Sequence, residues 1–243
     1  MIKIDTTLNK IIFELHNLKN PAQAKKLQGF FKTGVGEYGE GDVFFGIKVP
    51  VQRKIVKKYW KTLSVAEVLK LLQTNIHEQR LVSLLILVEK FQQGNEKEKE
   101  EIFKAYLGNV RYINNWDLVD VTCHKIIGEQ LVDKNREILY ILAKSNYLWE
   151  RRIAIISTAA FIRRNDFGDT LRISEILIND QHDLIQKAVG WMLREVGKRD
   201  QNAEEEFLKK YYSQMPRTML RYAIEKFSPK KRNFYLKKTG ESV

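Results

Sequence analysis

Residues 186 to 198 read QKAVGWMLREVGK. At about 100° per residue, with Lys187 set to zero, Ile185, Val189, Met192, Leu193 and Val196 fall in one apolar stripe centred at roughly 180°. Trp191 then lies at about 40° and Arg194 at about 340°. An indole stands among cations on the face opposite the apolar one. The period is helical, and it governs nearly the whole chain. The four prolines, Pro21, Pro50, Pro216 and Pro229, stand where helices begin or loops turn. Ser64 followed by Glu67 has capping-box spacing, and Ser228 precedes a proline suited to the first helical position. The fold class is therefore all-α. One stretch departs from the pattern: residues 29–46, GFFKTGVGEYGEGDVFFG, hold six of the thirteen glycines and are expected to form a loop after an N-terminal helical pair.

Residues comparable to Lys187 open other helical segments: Arg80 in EQRLVSLLIL, Trp116 in NNWDLVDV, Arg152 in ERRIAIIS and Arg221 in TMLRYAIE. Successive steps along Arg80, Trp116, Arg152, Lys187 and Arg221 are 36, 36, 35 and 34 residues. Such spacing predicts two-helix units that stack and share one core, a right-handed-type α-solenoid of HEAT-like repeats. A single domain over 1–243 is expected, with N-terminal helices and the glycine-rich loop in 1–46 and stacked repeats in 47–243. Residues in equivalent register would then line one surface, a concave basic groove.

Lys and Arg total 42 against 30 Asp and Glu, a formal charge of +12, with a pI near 9.6. That balance suggests a polyanionic partner, nucleic acid or an anionic membrane surface. The single cysteine, Cys123, excludes an internal disulfide and the zinc patterns built on cysteine pairs, and fits a reducing, cytoplasmic setting. Cys123 itself reads as packing on its helix's apolar face. No stretch reaches the roughly 18 apolar residues of a membrane span, and MIKIDTTLNKIIFELHN lacks the marks of a signal peptide.

In this basic chain NNWDLVD, residues 114–120, places carboxylates beside an indole. On a wheel drawn from Trp116, Leu118, Val119, Thr122, Cys123 and Ile126 cluster, while Asp120 lies one turn beyond Trp116 on a different face. Asp117 points further round and is the weaker candidate. Arg217 and Arg221 share a polar face opposite Met219 and Phe227. Arg152 belongs to a helix apolar nearly all round, so it must find a partner or emerge into a groove. Trp60 and Trp149 fall outside the register and read as packing. Basic side chains along a groove can follow phosphates, but indoles and a carboxylate stabilise a cation. An alkylated purine, and the oxocarbenium-like sugar formed as it leaves, are such cations.

The blocks FFGIKVP (44–50), NNWDLVD (114–120), SNYLWERRIAI (145–155), QKAVGWMLREVGK (186–198) and MPRTMLRYAIEKF (215–227) resemble, in order and spacing, the blocks of the AlkD-like DNA alkylation repair glycosylases. The resemblance runs from about Phe44 to the C-terminus. It implies an α-solenoid of HEAT-like repeats that hydrolyses the N-glycosidic bond of N3- and N7-alkylated purines in duplex DNA. It further implies that no metal or organic cofactor is needed and that the base is not flipped into a pocket. Asp120 carries over as the catalytic carboxylate, Trp116 and Trp191 as its aromatic partners, and Arg152 and Arg194 as DNA contacts. Lys187, Arg217 and Arg221 join them as DNA-binding candidates from the register, and a monomer is expected.

Competing readings remain distinguishable. A non-catalytic helical-repeat scaffold binding nucleic acid or protein through the same groove predicts that Asp120→Asn is harmless. Membrane-surface binding has little support, because the cations are spread over several helices instead of gathered on one amphipathic helix. The four histidines, His16, His77, His124 and His182, lack metal-ligand spacing and read mostly as surface or capping residues.

Overall fold

The structure, a computed structural model, describes residues 6–237; the first five residues of the N-terminal segment quoted above lie outside that range. Among the described residues the regular elements are helical, apart from an isolated bridge pairing Val43 with Ile76. No helix among them is long and apolar enough to cross a membrane. The chain divides into two compact units, one ending at Thr122 and the other beginning at Cys123.

The first unit contains α1 (Thr7–Asn17), α2 (Pro21–Phe30), α3 (Val49–Tyr59), α4 (Val65–Leu72), α5 (His77–Gln93), α6 (Glu96–Gly108) and α7 (Trp116–Asp120). Its helix starts are written in the sequence. Asn20 caps α2 ahead of Pro21, the Ser64–Glu67 capping box opens α4, and Asn95 with Glu98 forms a second box at α6. α5 is the centre: from His77 to Val88 every side chain is buried, and α3, α4 and α6 all pack against it. A helix wetted on no side has no amphipathic stripe, so its polar opening residues must be satisfied internally. The glycine-rich segment is a loop from Phe31 onward, its first two residues, Gly29 and Phe30, still belonging to α2, and it is pinned to the start of α5. Val43 N–H donates to the Asn75 carbonyl and the His77 N–H to the Val43 carbonyl, each at 2.9 Å.

The second unit opens with a π-helical turn, His124–Gly128, followed by α8 (Glu137–Ala143), α9 (Leu148–Ser157), α10 (Ala159–Ile162) and α11 (Gly168–Ile176). Then come α12 (Asp183–Gly197), α13 (Gln201–Tyr211), α14 (Arg217–Ala223) and α15 (Pro229–Lys237). Here α9 is the buried helix, packed against α8 and α12, while α12 also packs against α13 and α14. Gly190 permits the last of these approaches. A Cβ there would sit 2.4 Å from the Met219 carbonyl oxygen and 2.6 Å from Tyr222 Cβ, closer than atoms can approach.

The five register positions Arg80, Trp116, Arg152, Lys187 and Arg221 fall on α5, α7, α9, α12 and α14, with other helices between them, as two-helix repeats require. The repeat thus holds, but the surface map drawn from it does not. Arg80 and Arg152 are buried, Trp116 and Lys187 half-buried, and Arg221 exposed. Equal register fixes position along the repeat, whereas the burial of each side chain follows its local neighbours.

Candidate active site and nucleic-acid interface

Asn115 is the N-cap of α7: fully buried, it accepts the Trp116 N–H at 2.9 Å through its side-chain oxygen. Leu118 and Val119 then plunge into the core at 0% exposure, which turns Trp116 and Asp120, one turn apart, to the same half-buried side. Trp116 lies against two aromatic rings at the C-terminal end of α2, where the glycine-rich loop begins. Phe31 stacks on it at 5.1 Å and 22°, and the exposed Phe30 meets it edge-on at 5.9 Å. The helix is shorter than a continuous wheel assumes, since it stops at Asp120 and the chain turns before the π-helical segment. Leu118, Val119, Thr122, Cys123 and Ile126 are nonetheless all buried at 0%, as the wheel places them.

Behind α7 lies a charge cluster that sequence reading missed. Asp117 accepts from His77 Nε2 at 2.8 Å, and Asp42 accepts from His77 Nδ1 at 3.0 Å. Asp42 also takes the Arg80 guanidinium and, at 3.3 Å, the Asn115 side-chain amide, while Arg80 donates to Asn114. Burial pushes the His77 imidazole down, but the Asp117 charge and the hydrogen bonds to Asp117 and Asp42 outweigh it and hold it up at about 9. Burial pushes the Asp42 carboxyl up. The His77 hydrogen bond and the Arg80 charge more than offset this and leave it below the usual range. Next in sequence, Glu78 is 1% exposed and accepts the backbone N–H groups of Phe45, Gly46 and Ile47 at 2.9, 2.7 and 3.1 Å. It thereby holds the FFGIKVP block, whose Gly46 has the left-handed φ of 83° that favours glycine. A cleft of about 400 Å³ in this unit is lined by Phe30, Phe31, Phe44, Val49, His77 and Asp117. His77 is therefore neither a surface nor a capping residue, contrary to the sequence expectation.

In the second unit Trp191 is half-buried, and its Nε1 donates to Glu195 Oε1 at 3.0 Å. The stripe beneath it, Ile185, Val189, Met192, Leu193 and Val196, is at most 1% exposed. A cavity of about 300 Å³ beside the indole is bounded also by His124, Ile156, Arg163, Met192 and Glu195. Burial first, then the charges of Arg163 and Lys125, pushes the His124 ring down to about 4. It is neutral at pH 7, and Arg163 donates to its Nδ1 at 3.3 Å.

The basic candidates are mostly held by protein groups. Arg194 pairs with Glu225 and, at 3.5 Å, with Glu195; Lys187 pairs with Asp183 at 2.6 Å. Arg217 donates to the Leu236 carbonyl at 2.6 Å and is exposed, as is Arg221. Arg152 is 5% exposed and donates to the Leu184 carbonyl in the first turn of α12. Of the two outcomes the sequence allowed it, a partner or a groove, it has the partner, and its burial differs from the expected phosphate contact. His182 caps α12, Trp149 is buried, and Trp60 is half-exposed beside Lys61 instead of wholly packed.

Repeats of this kind, bearing an indole and a carboxylate on one short helix and a second indole among cations, place the chain among the helical-repeat proteins. It matches the DNA alkylation repair enzyme family model over residues 11–227 and belongs to that family. It is similar to a solved structure described as a predicted DNA alkylation repair enzyme from Enterococcus faecalis, with a TM-score of 0.70 and 21% identity over 87% of this chain and 97% of that one. This likeness speaks to the fold. No curated protein matches the chain. Family membership gives it a role in DNA repair, with DNA as partner.

Proposed function

We propose that this protein is a monofunctional DNA glycosylase that hydrolyses the N-glycosidic bond of N3- and N7-alkylated purines in duplex DNA. The observation that carries the reading is the shared, half-buried side of α7 on which Trp116 and Asp120 stand. Ordinary glycoside hydrolysis needs two carboxyl groups because one must protonate the leaving group. An alkylated purine already carries positive charge and leaves neutral, so one carboxylate suffices. Asp120 offsets the charge growing on the sugar and orients, or deprotonates, the attacking water. Trp116 favours the cationic sugar through the quadrupole of its ring, and Trp191 has the same capacity.

Two indoles at about 1 to 2 kcal/mol each and a carboxylate at about 4 Å, contributing roughly 4 kcal/mol at an effective dielectric of about 20, set an upper figure of roughly 6 to 8 kcal/mol. That corresponds to about 10⁴ to 10⁶ in rate, enough for a labile cationic lesion and too little for an undamaged nucleoside. Lesion choice then follows from leaving-group chemistry, without a tight base pocket. Phosphates are met by Arg194, Lys187, Arg217 and Arg221, with Arg152 acting indirectly by holding the start of α12. The protein works as a monomer in the cytoplasm. Incubation with methylated duplex DNA, followed by chromatographic assay of free 3-methyladenine and 7-methylguanine, tests the reading. Release supports it, and DNA binding without release makes the chain a non-catalytic scaffold.

A further inference from the structure

Asp42, His77 and Arg80, all buried, and the half-buried Asp117 form a cluster of two carboxylates and two cations that the chemistry above does not use. Its members come from three elements: Asp42 from the end of the glycine-rich loop, His77 and Arg80 from the first turn of α5, and Asp117 from α7. His77 is 2% exposed and both its ring nitrogens are engaged, Nδ1 on Asp42 and Nε2 on Asp117. Only the imidazolium can donate to both carboxylates at once. The other charged neighbour on α5, Glu78, is turned to the backbone of residues 45–47. The rings of Phe44 at 4.4 Å and Phe31 at 5.2 Å cover His77, and Phe31 is also the ring stacked on Trp116.

A helix of five residues has no stability of its own, so its attitude is set by what it touches. Leu118 and Val119 fix how deeply α7 sits, and Asn115 fixes where it starts. Asp117 lies between Trp116 and Asp120, and its link to His77 fixes rotation about the helix axis. Because Asp42 is bound by the same ring, and by the Asn115 amide at 3.3 Å, the loop that supplies Phe31 is registered against both the rotation and the start of α7. We propose that His77, by bridging Asp42 and Asp117, is a positioning residue that sets the rotation of α7 and so aims Asp120 and Trp116 at the reacting sugar. The proposal deepens the glycosylase reading and rests on it for the word reacting, but not for the rotation.

His77→Gln keeps one amide donor and loses the double bridge. Three measurements are made on the full chain: single-turnover base release from methylated duplex DNA between pH 6 and 10, the Kd for undamaged duplex, and hydrogen exchange at the amides of residues 116–120. Release by the natural protein is expected to fall as pH rises through about 9, when the imidazolium loses the proton that joins its two carboxylates. The variant is expected to release base about 10²-fold more slowly at neutral pH, the scale of a small misplacement of a reacting group. It should show no such alkaline fall, an unchanged Kd and faster exchange at 116–120. Base release and exchange equal to the natural protein overturn the proposal, as does a loss that vanishes once activity is corrected for the folded fraction. Should the natural protein release no base at all, the glycosylase reading fails, and exchange at 116–120 alone decides whether His77 sets α7.

Discussion

The indole of Trp116 lies 22° from the plane of Phe31, with the ring centroids 5.1 Å apart. One face of the proposed catalytic indole is therefore covered by a loop residue, and its tilt depends on a flat neighbour. Phe31→Leu keeps most of the buried volume and should cost less than about 1.5 kcal/mol in urea unfolding. It removes the stacking plane, so base release should slow several-fold more than stability explains. Phe31→Ala should cost about 3 to 5 kcal/mol. Equal release by the leucine variant and the natural protein would show that the tilt of Trp116 is immaterial.

Glu195 competes with DNA for the cations it holds. It receives Lys198 at 2.7 Å and Arg194 at 3.5 Å while accepting the Trp191 indole N–H at 3.0 Å. Glu195→Gln retains an oxygen for the indole and removes the charge. Duplex binding should tighten, and every further phosphate that the freed cations neutralise should steepen the log–log salt dependence by about 0.9. Glu195→Ala also releases the indole and should lower the single-turnover rate. Fluorescence anisotropy across a salt series reads the first effect, and weaker binding by Glu195→Gln would contradict it.

Gly190 is a point of close packing rather than a hinge. A methyl group there meets the Met219 carbonyl and Tyr222, so α12 and α14 must separate. Gly190→Ala improves helix propensity but should lose about 1 to 3 kcal/mol through overpacking. Chemical unfolding measures the sign, and a more stable variant would mean that α14 moves away without cost.

Glu204 is 2% exposed, and burial first, then the Glu205 charge, pushes its carboxyl up to about 8 from the ordinary 4.5. A raised value in the folded state means that its stabilising contribution is full below about pH 4.5 and is lost as pH rises through about 8. Glu204→Gln cannot ionise. The stability of this variant relative to the natural protein should therefore grow steadily with pH between 4.5 and 8. A difference independent of pH would show that Glu204 titrates normally.

Helical identity and repeat length were legible because burial imposes a period. The stripe from Ile185 to Val196 and the cluster from Leu118 to Ile126 are both buried as the wheel places them. Caps were legible at Ser64 because the partners lie three residues apart. The pairing of His77 with Asp42 and Asp117 spans 35 and 40 residues and follows no period. One faint signal existed: HEQR opens a helix that is otherwise apolar all round, so those polar groups had to find partners inside. Arg152 carried the same signal, and there the expectation of a partner was met by Leu184.

The catalytic role of Asp120 is tested most directly by the rate at which Asp120→Asn releases methylated purine from duplex DNA in a single turnover, measured beside its Kd for the same duplex. Loss of a carboxylate contributing roughly 4 kcal/mol should slow release about 10³-fold while binding stays equal or tightens. Release by the asparagine variant at the natural rate would contradict that role and leave a protein that binds DNA without acting through this carboxylate.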